Sequence, residues 1–135
     1  ALSKKIKTSG LKKAKFQIKL EVTGIFIHED VLYLRVVFEN KSKISYDIDQ
    51  LGFFIRDQRK SKRTASQEIE IQPLYSTSSS AVIPDKSEIV KVFALEKFTI
   101  PDNKLLALQL LEKNGGRHLE ASIKKNLADK VIPLP

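Results

Sequence analysis

Through most of its length the chain alternates apolar and polar residues one by one, a period that a β-strand satisfies and a helix does not. Phe16, Ile18, Leu20 and Val22 interleave with Lys15, Gln17, Lys19 and Glu21, which predicts a strand with one buried face and one basic, wetted face. Gly24 breaks the parity and Ile25-Phe26-Ile27 is apolar on both sides, so a bulge at Gly24 or burial of both faces is expected there. His28-Glu29-Asp30 reads as a turn. Leu32, Leu34, Val36 and Phe38 then give a second strand with a wholly apolar face, and the two segments form the best hairpin candidate in the sequence.

Asn40-Lys41-Ser42-Lys43 marks the next turn. Ile44, Tyr46 and Ile48 alternate with Ser45, Asp47 and Asp49 until the apolar parity shifts to Leu51, Phe53 and Ile55, placing a kink near Gln50-Leu51-Gly52. A basic tip runs from Arg56 to Arg63, and Thr64 to Ile71 returns as a weaker strand with Ile69 and Ile71 inward. Pro84-Asp85-Lys86 is a further turn, and Ile89 to Leu95 is a strand apolar on both faces, interrupted by Lys91. Phe98 to Asp102 reads as a crossover between sheets. Lys104 to Glu112 is leucine-rich enough for a short helix, but Asn114-Gly115-Gly116 follows it, a hairpin signal that needs positive φ, so a strand is expected. Leu119, Ala121 and Ile123 continue the alternation. About seven short strands without a long amphipathic helix predict an all-β fold, an antiparallel immunoglobulin-like β-sandwich. The expected organisation is a basic leader over 1–15, the sandwich over 16–125, and an irregular tail over 126–135.

The chain's 135 residues suit one domain with a core large enough to need no staple. The lack of cysteine removes disulfides, thiolate zinc sites, iron–sulfur clusters and cysteine nucleophiles. No apolar run approaches the roughly 18 residues of a spanning helix. The chain opens at Ala1 without the apolar centre of a signal peptide, so a processed protein or an excised domain is expected.

Reactive groups are sparse. No glycine loop has phosphate-cradling spacing, and His28 and His118 both fall at turns without a metal-binding neighbour at helical spacing. Asp47 and Asp49 share one side of a strand but lack a calcium-loop pattern, which leaves a solvated face or partners for the basic tip. Ser122-Ile123-Lys124-Lys125 fits S-x-x-K, yet it ends a strand and its companion motifs are missing. Asn40-Lys41-Ser42 matches the glycosylation acceptor pattern as a chance occurrence. No catalytic residue, metal or cofactor is expected.

Charge is the most informative feature. The formal net charge is +8, and it is concentrated: residues 1–19 hold seven lysines and no acid, and Arg56 to Arg63 holds five cations against Asp57. Such clusters fit nucleic acid, phospholipid headgroups or an acidic protein, while lysine also blunts sheet edges. Single-strand binding calls for aromatics interleaved with the cations, and Phe16 is the sole aromatic near the leader.

Four stretches go beyond composition. Asn40-Lys41-Ser42…Tyr46-Asp47-Ile48-Asp49, Ile55-Arg56-Asp57 through Lys62-Arg63-Thr64-Ala65-Ser66-Gln67-Glu68, Phe98-Thr99-Ile100-Pro101-Asp102, and Glu112-Lys113-Asn114-Gly115-Gly116-Arg117-His118-Leu119 closely resemble the conjugative transposon TraN proteins of Bacteroidetes. The likeness runs from about Phe16 to the C-terminus. It implies a non-enzymatic component of a conjugative transfer apparatus, distantly similar to the TrbG/CagX-type ring subunits of type IV secretion systems. Implied with it are a periplasmic or outer-membrane-associated location and, as partners, other conjugation proteins, a small lipoprotein and neighbouring copies of the chain. The candidate partner-binding residues are Arg56, Arg59, Lys60, Lys62 and Arg63, long cations clustered at one tip and suited to carboxylates. A nucleic-acid-binding module associated with conjugation is the alternative.

Overall fold

A computed structural model describes residues 12–57, 68–77, 81–98, 103–124 and 132–133. Within them the chain forms eleven strands: β1 (Lys12–Lys15), β2 (Ile18–His28), β3 (Val31–Asn40), β4 (Tyr46–Asp57), β5 (Ile69–Ile71), β6 (Tyr75–Ser76), β7 (Val82–Ile83), β8 (Ser87–Glu96), β9 (Lys104–Glu112), β10 (Leu119–Lys124) and β11 (Ile132–Pro133). Two sheets pack face to face as a β-sandwich. The first has the order β1-β2-β3-β8-β6, with β11 alongside β2; the second has the order β10-β9-β4-β5, with β7 on β4. Every pairing is antiparallel except that of β11 with β2. The seven predicted strands are the six long ones and β5, and β1, β6, β7 and β11, of two to four residues, are additional.

The period-two pattern builds the core directly. Leu20, Val22, Leu34, Val36 and Phe38 of the first sheet face Phe53, Ile55, Leu106, Leu108 and Leu110 of the second, and all are buried. Phe53 and Phe93 join the layers edge to face, their ring centroids 5.2 Å apart. Lys91 stands on the inward-facing side of β8, in register with Val36, and burial lowers the pKa of its amine.

Both parity shifts are bulges. The β2–β3 register slips between Val22 and Gly24, leaving Thr23 as the extra residue, and Arg35 Nη1 donates to its hydroxyl at 2.6 Å. The β4–β9 register slips between Ile48 and Gln50, so Asp49 is the extra residue, just before the kink expected at Gln50. Each slip moves every later apolar side chain to the opposite parity while keeping it on the core face.

The structure differs from the sequence reading at three places. Lys12–Lys15 of the leader pair with Ile18–Glu21 as an edge strand, and Phe16-Gln17, with φ of 57° and 63°, is the two-residue turn between them. Phe16 is therefore not an inward strand residue, and 45% of it is exposed. Ile69, expected inward, is 57% exposed because β5 pairs with β4 over only three residues; Ile71 does pack against the core. Within the tail, Ile132 and Pro133 lie beside Phe26 and Ile27 as a parallel strand. Thr64 to Gln67 and Thr99 to Asp102 lie outside the described residues.

Candidate functional site

The most elaborate polar arrangement among the described residues joins the two sheets at one end of the sandwich. It starts from Asn40, the last residue of β3, which is 1% exposed. Its amide nitrogen donates to the carbonyls of Ile44 (2.9 Å) and Ile83 (3.1 Å), and its Oδ1 accepts the Ser42 N–H at 2.9 Å. The Ser42 hydroxyl lies 2.6 Å from that Oδ1 and 2.8 Å from the Ile44 carbonyl, and donates its single proton to one of them. Asparagine at the head of a turn forms such local bonds readily, which makes the 40–44 connection self-supporting. The same bonds enclose the glycosylation-type acceptor: its nitrogen is committed to two carbonyls inside the protein.

Arg117, in the β9–β10 connection, completes the clasp from the second sheet. Its Nε and Nη2 reach Glu112 Oε2 at 3.0 and 2.6 Å, and its own N–H donates to Glu112 Oε1 at 3.1 Å. The guanidinium continues onto the β3–β4 connection, Nη2 to the Ser45 carbonyl at 2.9 Å and Nη1 to the Ser42 hydroxyl at 3.2 Å. It also lies 5.1 Å from the centroid of the Tyr46 ring, whose hydroxyl donates to the Arg117 carbonyl. Tyr46 is fully buried. One planar cation thus touches a carboxylate, a carbonyl, a hydroxyl and an aromatic face, a set that the five donors of arginine can satisfy and a lysine cannot.

The electrostatics follow from these contacts. The hydrogen bonds from Arg117 hold the Glu112 carboxyl below the usual carboxylate range, against the opposing effect of burial. The same bonds raise the pKa of Arg117 further. Burial, helped by the negative charge of Glu112, keeps the Tyr46 phenol protonated well beyond its ordinary range.

Gly115 makes room for this pair. A Cβ there would overlap the Glu112 carboxylate, coming within 2.6 Å of its Cδ, whereas one at Gly116 would meet nothing within 4 Å. Gly115→Ala is expected to destabilise the fold by about 1–2 kcal/mol by displacing the carboxylate from Arg117, with Gly116→Ala near neutral. Equal melting temperatures for the two variants would show that the carboxylate can move away freely.

The residues singled out in the sequence are distributed as follows. Arg56, on β4, is engaged within the protein: its Nε is 3.1 Å from Glu68 Oε2, its Nη1 bonds Glu120 Oε1 of β10, and its guanidinium lies 5.2 Å from the centroid of the Phe54 ring. Beside it, Lys104 and Asp57 pair at 2.7 Å. Arg59, Lys60, Lys62 and Arg63 lie outside the described residues. Asp47 and Asp49 are exposed on β4. His28 stands at the β2–β3 tip beside Glu29, whereas His118 accepts the Glu112 N–H at the clasp end, so the fold separates the two imidazoles. Ser122 sits in mid-strand on β10, and Lys125 is outside the described residues.

Sequence reasoning missed the clasp as a unit. Its parts fall in two of the four family-like stretches, Asn40 to Asp49 and Glu112 to Leu119, but nothing in one sequence says that residues more than 70 positions apart touch. The sequence profile of a domain of unknown function, DUF4138, matches residues 2–130. The chain belongs to the DUF4138 family. No curated protein matches it. In this DUF4138 domain the match runs through both halves of the clasp and both sheets.

Proposed function

We propose that the chain is a non-enzymatic structural module of a conjugative transfer apparatus, acting in the cell envelope by binding other proteins of that apparatus. The observation that carries this reading is the convergence of two family-like stretches on one clasp. The polar groups of Asn40, Ser42, Tyr46, Glu112 and Arg117 are engaged with one another and with backbone. Residues used in this way rigidify a sandwich, which is what a scaffold requires of its most specific positions.

The edges of the sandwich supply binding surface. β8 pairs with β3 over its full length but carries β6 only at Phe93 and Ala94. Among the described residues, Ser87–Val90 have no strand hydrogen-bonded on that outer side, an arrangement to which a partner's extended segment adds by main-chain bonds. The basic run from Arg59 to Arg63, which lies outside the described residues, adds a dense group of cations suited to carboxylates.

The test is copurification of the full-length protein from conjugating cells. Replacing Arg59, Lys60, Lys62 and Arg63 together by Ser is expected to reduce recovery of other transfer proteins by about tenfold. Unchanged recovery would remove this basic run from the interface. Release of the partners by nuclease would instead favour nucleic-acid binding, whose affinity should fall steeply with salt.

A further inference from the structure

The clasp end of the sandwich also presents two exposed apolar side chains on connecting loops, Phe16 at 45% and Ile44 at 68%. Backbone hydrogen bonds hold the loops of this end together. Lys41 donates to the Gln17 carbonyl at 2.8 Å, Lys86 to the Ser42 carbonyl at 3.2 Å, and Lys113 to the Asp47 carbonyl at 2.8 Å. Lys15, Lys41, Lys43, Lys86 and Lys113 are all exposed here, and Lys15 Nζ lies 4.9 Å from the Phe16 ring centroid. The acids of this end offset them only in part. Glu39 pairs with Lys19 and Lys41, Glu112 is held by Arg117, and Asp47, Asp85 and Glu88 are exposed.

Phe16 has a second peculiarity. It occupies the first position of a two-residue turn at a positive φ of 57°, followed by Gln17 at 63°. Such turns favour Asn-Gly, and bulky residues rarely adopt that conformation. Here the strain is accepted although Phe16 is 45% exposed and stands outside the core cluster, so core packing does not account for it.

We propose that this end is a membrane-docking face: Phe16 and Ile44 enter the boundary between headgroups and acyl chains of an anionic bilayer, and the five lysines meet lipid phosphates. Apolar side chains exposed at the same end as several lysines match that boundary, where flexible ammonium stems reach the phosphates while the apolar tips lose contact with water. The same surface fits single-stranded nucleic acid poorly, because aliphatic Ile44 offers no face for base stacking and Phe16 stands alone.

The experiment is cosedimentation of the full chain with vesicles of phosphatidylcholine, and with vesicles in which about a third of the lipid is phosphatidylglycerol. The protein is expected to bind the anionic vesicles and to leave the neutral ones in solution. Phe16→Asn with Gln17→Gly, combined with Ile44→Ser, should weaken anionic binding by at least about tenfold. The first pair of changes installs the residues the turn prefers, so the thermal midpoint should hold or rise while binding falls. Lys41→Ser, Lys43→Ser and Lys86→Ser together should abolish the preference for anionic lipid. Equal binding to both vesicle types, or wild-type binding by the Phe16 and Ile44 variant, overturns the proposal. So does affinity for a single-stranded oligonucleotide that falls by the same factor in that variant, which would assign the tips to nucleic acid.

Discussion

Replacing Arg117 by alanine is expected to lower stability by about 3 kcal/mol, a fall in Tm of roughly 10 °C. The loss has three parts: the Glu112 carboxylate loses its counter-charge, the Ser45 carbonyl and Ser42 hydroxyl lose a donor, and the Tyr46 ring loses the cation on its face. The figure sits at the low end for a broken interior ion pair because 19% of the arginine side chain is still in water. Arg117→Lys should recover only a minor part, since an ammonium cannot span the same acceptors. Combining Arg117→Met with Glu112→Gln should be less damaging than the two single changes added together, as expected for partners in direct contact. Full additivity in urea unfolding would show that the pair is energetically idle.

The same pair gives a pH dependence of definite sign. Glu112 has a lower pKa folded than unfolded, so its contribution is fully present above the ordinary value of 4.5. It is lost as the pH falls from there through the depressed folded value. The stability difference between the wild type and Glu112→Gln should therefore be constant near neutrality and shrink in acid. A difference that grows on acidification would reverse the assignment.

Asn40→Ala is expected to be comparably damaging, about 3 kcal/mol, although no charge is removed. The amide serves four groups in a site almost closed to water, and its loss strands the Ile83 carbonyl and the Ser42 N–H, while the Ser42 hydroxyl and the Ile44 carbonyl are left to satisfy each other. Asn40→Asp should be worse, since a carboxylate would face two carbonyl oxygens without the protons that now satisfy them. A cost under about 1 kcal/mol for the alanine variant would mean that water or a relaxed loop takes over the role.

Much of the fold was legible because a sheet with one buried face writes its geometry as alternation. Even the bulges could be seen, as the parity shifts after Val22 and before Leu51. Phe16 was misread for a physical reason: it continues the alternation in phase, and a bulky aromatic is a poor choice for a turn with positive φ. Ile69 was misplaced because alternation does not reveal how short a strand is or whether its sheet extends over it. The candidate site was legible only as fragments. Asn40-Lys41-Ser42 looked like a chance match, and Glu112 to Leu119 looked like a hairpin, because their meaning lies in a contact between the β3–β4 and β9–β10 connections. Arg56 illustrates the converse: grouped by sequence with the basic tip, it is engaged by Glu68 and Glu120.

The 71-residue separation between Tyr46 and Arg117 also has a kinetic consequence. During synthesis at the ribosome, the first half of the chain emerges with its hairpins able to form locally but with the Tyr46 phenol still unpartnered. Closure waits for the β9–β10 hairpin, so non-local assembly of this kind makes folding slow for a chain of such size. A contact that closes after the transition state acts mainly on the rate of opening, so Arg117→Ala is expected to speed unfolding more than it slows refolding, as a latch on the assembled sandwich would.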